Sequence, residues 1–230
     1  KDVDLLDRSK TFDFINNLKP TAIIDSAAKV GGIGGNNSYP VEFLSQNLQI
    51  QSNLMDAAHA VKVSKFVFLG SSCIYPKDCA QPIKEEYLLT GELEQTNSAY
   101  AVAKIAGIEL IKSYRKEYGY KWISVMPTNL YGPNDNFDLE NSHVFPALIR
   151  KFVEGKLNNA ASVTLWGSGS PKREFLHVEE LFIDVVSINR ITKKSLIVDS
   201  GKDVIADLLI ANFPVLSDLG NSIPLCSNSL

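Results

Sequence analysis

The sequence predicts an α/β fold, a doubly wound parallel sheet, and three observations carry that reading. Short apolar runs alternate with longer segments of helical period, the pattern of strand–helix crossover units. The runs at 22–25, 65–69 and 122–126 are apolar almost throughout, as strands covered by helices on both faces are. Small and hydroxyl residues follow each run, and the carboxyl ends of the strands are where open parallel sheets hold their ligands.

In chain order, the residues from Lys1 read as the tail of a strand, and Ser9 is placed to cap a helix reaching Leu18. The first full strand is 22–25. Pro40 opens a helix to about Val61 with Val41, Leu44, Leu48 and Met55 on its apolar stripe. After the strand at 65–69, a helix follows Asn97 and stops near Gly119. Its Ala103, Ala106 and Gly107 are small enough to admit a close neighbour. A strand at 122–126, a helix from Ser142 to Val153 stopped by Gly155, a short strand at 163–166 and a helix at 178–189 complete the pattern. Residues 134–141 form a polar loop, the natural exit to a second lobe. From Ile191 the periodicity fades, and the tail to Leu230 is expected to be poorly ordered.

At 230 residues, 45% of them hydrophobic, the chain suffices for a sizeable core. It contains no apolar run of the roughly 18 residues that span a bilayer and no signal-peptide pattern at its start, so a cytoplasmic protein without a membrane partner is expected. Cys73, Cys79 and Cys226 have neither disulfide-framework nor metal-ligand spacing, so reduced thiols and no metal are expected. A formal charge of -3, with scattered basic residues, argues against nucleic acid as the main partner.

The chemistry-bearing residues cluster at the strand ends. Ser71 and Ser72 follow the second strand, and Tyr100 and Lys104 lie four apart on one face of the next helix. That spacing alone is common by chance. Joined to the hydroxyl-rich strand end it supplies a Ser/Tyr/Lys set for delivering a proton to a carbonyl oxygen while hydride reaches carbon. A Lys104 ammonium about 4 Å from the phenol would stabilise tyrosinate by up to ~4 kcal/mol at an effective dielectric near 20, bringing Tyr100 toward working pH. Ser71 would hydrogen-bond the same carbonyl oxygen.

Six ordered motifs then make the chain similar to the extended short-chain dehydrogenase/reductase family, in its NAD-dependent epimerase/dehydratase branch. They are Ala27-Ala-Lys-Val-Gly-Gly-Ile33, Gly70-Ser-Ser-Cys-Ile-Tyr-Pro76, Pro127-Thr-Asn-Leu-Tyr-Gly-Pro133, Asn134-Asp-Asn-Phe137, Asn141-Ser-His143 and Arg173-Glu-Phe-Leu-His-Val178, within about 1–180. The resemblance implies a Rossmann-type domain, an NADP(H) cofactor and a GDP-sugar substrate. It implies epimerisation of GDP-4-keto-6-deoxy-D-mannose at carbons 3 and 5, then reduction at carbon 4 to GDP-L-fucose. Ser71, Tyr100 and Lys104 would carry the reduction, with Cys73 the base and His143 the acid of the epimerisation. A thiol, whose reference pKa near 8.5 needs only modest tuning, suits that work. The resemblance also places Asp4 and Leu5 along the adenine. Leu69, Gly70, Ser71, Ser72 and Lys104 would lie at the ribose and nicotinamide, with Pro127, Thr128, Asn129, Leu130 and His143 beside them. Lys151, Trp166 and Arg173 would hold the GDP moiety. Read alone, Trp166 is a core residue and Lys151 a solvated charge.

The chain departs from that family in carrying no G-x-G-x-x-G turn, and Gly31-Gly-Ile-Gly-Gly35 lacks both that spacing and a phosphate-loop Lys. The resemblance places a first strand, a pyrophosphate turn and a first helix upstream of Lys1, so this chain is expected to bind NADPH weakly or not at all. The expected organisation is a truncated cofactor domain at 1–136, with 174–190 returning to it, and a partial substrate lobe at 137–173 and 191–230. A homodimer through the helices at 40–61 and 98–118 is implied. Two alternatives stay open: another nucleotide-sugar epimerase or dehydratase of the same family, and an inactive fragment that serves as a binding or dimerisation module.

Overall fold

The structure is a computed structural model that describes residues 3–139, 142–165, 167–169, 172–189 and 195–198. The chain enters through a turn, with Leu6 N donating to Asp4 Oδ1 at 3.0 Å and Asp7 N to the Asp4 carbonyl at 3.1 Å. The strand tail expected there is absent over residues 3–7. Helix α1 (Arg8–Leu18) is capped by Asp7, whose carboxylate accepts from Lys10 N, and not by Ser9, which lies inside the helix.

Four parallel strands form the main sheet: β1 (Ala22–Asp25), β2 (Lys65–Leu69), β3 (Ile123–Val125) and β6 (Ser195–Val198), in the order β3-β2-β1-β6. The registers Asp25↔Phe68 and Leu69↔Val125 bring the carboxyl ends of β1, β2 and β3 to one edge. Ile23, Phe66 and Phe68 face the larger core, shared with α1, α3 (Pro40–Ala60) and α4 (Ser98–Tyr118). Ala22, Ile24 and Val67 face the opposite side, where α6 (Val178–Asn189) covers them with Val185, Leu181 and Phe182. Both faces are therefore covered, which is why the strands read as unbroken apolar runs. Helix α4 lies close against the sheet because position 107 is glycine: a Cβ there would collide with the Phe68 ring. It ends as expected at Gly119, left-handed at φ 72°.

The apolar stripe expected on α3 is rotated. Val41 is 77% exposed, and the buried face carries Phe43, Ile50, Leu54 and Met55 together with Asn47, Gln51 and Asn53. These amides are tolerated inside because each donates to a carbonyl: Asn47 to Lys29 (3.0 Å), Gln51 to Ala103 (2.8 Å) and Asn53 to Leu5 (2.8 Å). Hydrophobic periodicity does not register such positions. Trp122, placed in a strand by its apolar character, precedes β3 as a fully buried residue with its indole N–H on the Val63 carbonyl.

Beyond β3, a short parallel pair forms from β4 (Asn129–Tyr131) and β5 (Phe175–His177). Helix α5 spans Val144–Leu157, so it begins at Val144, with His143 as its N-cap, rather than at Ser142, and it runs through Gly155. Residues 163–165, expected as strand, are irregular. A helix not foreseen from the sequence, α2 (Ile33–Ser38), occupies the glycine cluster. Gly31 packs closely there, since a Cβ would come within 3.1 Å of the Phe43 ring. Apart from β6, the tail from 191 lies outside the described residues. No helix among the described residues is long and apolar enough to cross a membrane.

Candidate active site

The site is built where β1, β2 and β3 end. Gly70 continues the ladder one residue past β2, its N–H donating to the Val125 carbonyl at 2.8 Å. A Cβ at that position would come within 2.9 Å of Met126 Sδ and 3.3 Å of the Val125 carbonyl, so the close approach requires glycine. Ser71 then stays extended, and its hydroxyl accepts from Cys73 N at 3.3 Å, starting the one-turn 3-10 helix Ser72–Ile74. Ile74 is fully buried and fixes this turn on the core, leaving Cys73 half-buried beside Ser71.

Helix α4 brings up the other side. Tyr100, in its first turn, packs edge-on to Phe43 with ring centroids 6.5 Å apart, and its phenol hydrogen-bonds the Ser71 side chain. One turn later Lys104, only 3% exposed, donates from Nζ to the Leu69 carbonyl at 2.8 Å. Its ammonium lies 4.7 Å from the centre of the Phe68 ring and 5.8 Å from that of Tyr100. Ser71, Cys73, Tyr100 and Lys104 are thus assembled as one group.

The electrostatics of this group differ from expectation. Burial pushes the Tyr100 phenol well above its ordinary value, the nearby Cys73 adds to the rise, and the Ser71 hydrogen bond only opposes it. Lys104 does not bring it toward working pH, because its ammonium is spent on the Leu69 carbonyl rather than on the phenol oxygen. The phenol is therefore held in its proton-donating form. Burial also lowers Lys104 to about 8, opposed by Asp25. Asp25, fully buried at the end of β1, is raised to about 6 by desolvation, against the pull of Lys104 and the Ala27 N–H. One of its oxygens accepts from Ala27 N at 3.1 Å, and the other has no partner among the described residues.

The sequence reading overlooked two members of the site. Asp25 carried a signal, since a carboxylate in a run expected to be buried on both faces needs a charged partner nearby. Asn97 reads as a helix cap. It makes no capping bond, and its side-chain N–H donates instead to Cys73 Sγ at 3.3 Å.

The remaining site candidates are placed as follows. His143 stands exposed at the N-cap of α5, and its imidazole makes no hydrogen bond or ion pair among the described residues, so the structure does not join it to Cys73 or Tyr100. Thr128 and Asn129 both donate to the Glu174 carbonyl, at 2.8 and 3.0 Å, and so tie the segment after β3 to β5. Pro127 and Leu130 flank them, half-buried, and Ser72 is exposed. Leu5 is fully buried in the larger core, so its side chain cannot lie along an adenine, whereas Asp4 is exposed. Lys151 borders an open pocket with Glu154 and Thr164, donating to the Thr164 carbonyl at 3.3 Å. Arg173 is exposed and folds back on the Lys172 carbonyl. Trp166 lies outside the described residues.

Ser71, Tyr100 and the buried Lys104, grouped at the end of β2, fit the ribose and nicotinamide end of a dinucleotide. None of the described residues forms a glycine-rich turn for a pyrophosphate, and Gly31 and Gly35 face Phe43 instead. Chemically, the cluster offers a phenol with its proton held, a hydroxyl that shares its hydrogen bond, a buried ammonium and an adjacent thiol.

The sequence pattern of the NAD dependent epimerase/dehydratase family matches residues 1–187. Over 180 residues the chain is 57% identical to the putative GDP-L-fucose synthase 2 of Arabidopsis thaliana, which covers 78% of this chain and 55% of that protein. Over 180 residues it is 54% identical to the GDP-L-fucose synthase of Escherichia coli K12, covering 78% of this chain and 56% of that one. The chain thus spans a little over half the length of these curated relatives. Among solved structures, a GDP-L-fucose synthetase from Naegleria fowleri bound to NADP superposes with a TM-score of 0.74 at 29% identity, over 90% of this chain and 66% of that one. MlghC, a GDP-mannoheptose C4 reductase from Campylobacter jejuni with NADP bound, gives a TM-score of 0.75 at 30% identity, over 85% and 69% of the two chains.

Proposed function

This chain belongs to the NAD dependent epimerase/dehydratase family, and we propose that the protein carrying it is an NADP(H)-dependent epimerase/reductase converting GDP-4-keto-6-deoxy-D-mannose to GDP-L-fucose. The observation that carries the reading is the joined set Ser71, Cys73, Tyr100 and Lys104 at the strand ends. A plain ketoreductase has no use for a thiol there. The relatives named GDP-L-fucose synthase supply the substrate class.

In this reading NADPH, when bound, supplies the hydride that reduces carbon 4. Tyr100 gives its proton to the carbon 4 oxygen, for which a phenol held protonated is the required starting state. Ser71 hydrogen-bonds the same oxygen and sets its position. Lys104, its ammonium held on the Leu69 carbonyl, stands at the ribose and nicotinamide end of the bound cofactor rather than on the phenol. Before reduction, the 4-keto group acidifies carbons 3 and 5, where Cys73 removes protons and His143 returns them on the opposite face. His143 lies on the exposed start of α5, so this role requires bound sugar to bridge from it to Cys73.

Lys151, Trp166 and Arg173 remain our proposed contacts to the GDP moiety, with Asp4 on the adenine side of the cofactor. The division into a cofactor part (1–136 and 174–190) and a substrate part is proposed on the same footing, as are a cytoplasmic location and a homodimer through α3 and α4. The test is to incubate the protein with GDP-4-keto-6-deoxy-D-mannose and NADPH and identify the sugar by NMR. The L-fuco product is expected. A product reduced at carbon 4 without inversion at carbons 3 and 5 would refute the epimerase half.

A further inference from the structure

We propose that Asn97 is a positioning residue for Cys73, holding the sulfur by a side-chain N–H that binds its anion more strongly than its thiol. The role of Cys73 as a base rests on the function proposed above, but the interaction and its test do not. Asn97 stands at the start of α4, where an Asn side chain ordinarily accepts from a backbone N–H of the first turn. It makes no such bond. The entry to the helix is handled one step earlier, by Glu94, which accepts from Thr96 N at 3.4 Å and is itself held by Lys77 at 2.8 Å. The Asn97 amide is thereby released to donate to Cys73 Sγ at 3.3 Å. Its carbonyl oxygen is buried without a partner among the described residues. Leaving a buried acceptor unmade is unfavourable, so the donor end is what fixes this side chain.

The arrangement links the whole group. Asn97 and Tyr100 are three apart at the same end of α4. One donates to Cys73, the other bonds Ser71, and the Ser71 hydroxyl accepts from Cys73 N. A hydrogen bond from an amide is stronger to an anionic sulfur than to a neutral thiol, so the donor selectively favours the reactive form.

The experiment is alkylation of the full chain with iodoacetamide, resolved by peptide mass spectrometry, with Cys79 as the internal reference. Asn97→Leu removes the donor at similar size, and Asn97→Asp is isosteric and replaces it with a charge, so at least one folded variant is secured. At pH 7 the rate at Cys73 relative to Cys79 should fall roughly 3- to 10-fold in Asn97→Leu and further in Asn97→Asp. At pH 10, where thiols are ionised regardless, both ratios should return to the wild-type value. An unchanged or increased ratio at pH 7 would overturn the proposal, as would an equal fall at both pH values, which reports altered access alone. No substrate or cofactor is involved, so the result stands apart from that of the function test.

Discussion

Lys104 Nζ donates to the Leu69 carbonyl at 2.8 Å, so the charged end of a helix side chain closes the end of a strand. This one bond explains why the ammonium lies nearer the sheet than the phenol, and why Asp25, at the end of the neighbouring strand, belongs to the site. With Lys104 at about 8 and Asp25 at about 6, both groups are charged only between those values.

The pH dependence of the site follows from that window. Reduction should fall as pH rises through about 8, when Lys104 loses its proton. Asp25 raises Lys104, so Asp25→Asn should move this limb to lower pH. NADPH oxidation followed at saturating substrate between pH 6 and 9 reports it, and an unmoved limb would remove Asp25 from the site.

Stability should respond with a definite sign. Asp25 is raised from 3.8 to about 6 in the folded state, so its contribution is full below 3.8 and is lost as pH rises through about 6. Asn cannot ionise. Urea melts should therefore show Asp25→Asn gaining on wild type between pH 4 and 6, by up to about 3 kcal/mol. A difference that is flat over this range would mean that the carboxyl is not buried as described.

Tyr100→Phe removes one hydroxyl and leaves the ring against Phe43. It should abolish reduction, a loss of about 10²- to 10⁴-fold, with thermal stability and cofactor affinity nearly unchanged. Stopped-flow loss of NADPH absorbance measures the first and calorimetry the others. Retention of most of the rate would exclude Tyr100 as the proton donor.

Cys73→Ala and His143→Ala separate the two half-reactions. Neither group is needed for hydride to reach carbon 4, so each variant should lose solvent-deuterium incorporation at carbons 3 or 5 by about 10²- to 10⁴-fold and still oxidise NADPH. NMR of the sugar after incubation in deuterated buffer gives the answer. Undiminished exchange in both variants would leave a simple reductase.

Gly107→Ala tests the packing that aims Lys104. The added methyl would meet the Phe68 ring and the Gln51 side chain, so a loss of about 1–3 kcal/mol is expected from overpacking. A variant as stable as wild type in denaturant melts would show that α4 can stand off from the sheet without cost.

The sequence by itself determined the parallel sheet, because β1 and β2 lie between covering helices and must be apolar on both faces. It also determined the pairing of Ser71 with Tyr100 and Lys104, since strand-end and helical spacings are local properties. The Gly107 contact was legible for the same reason, as a small residue on a helix face. Only the tertiary structure decided the direction of the Tyr100 shift, the use of the Lys104 proton on Leu69, and the entry of Asp25 and Asn97 into the site. It also decided that Asn47, Gln51 and Asn53 lie inside. These depend on which carbonyls come within reach of a side chain and how much water is excluded once α3 and α4 meet the sheet, quantities set by residues dozens of positions apart that no local pattern records.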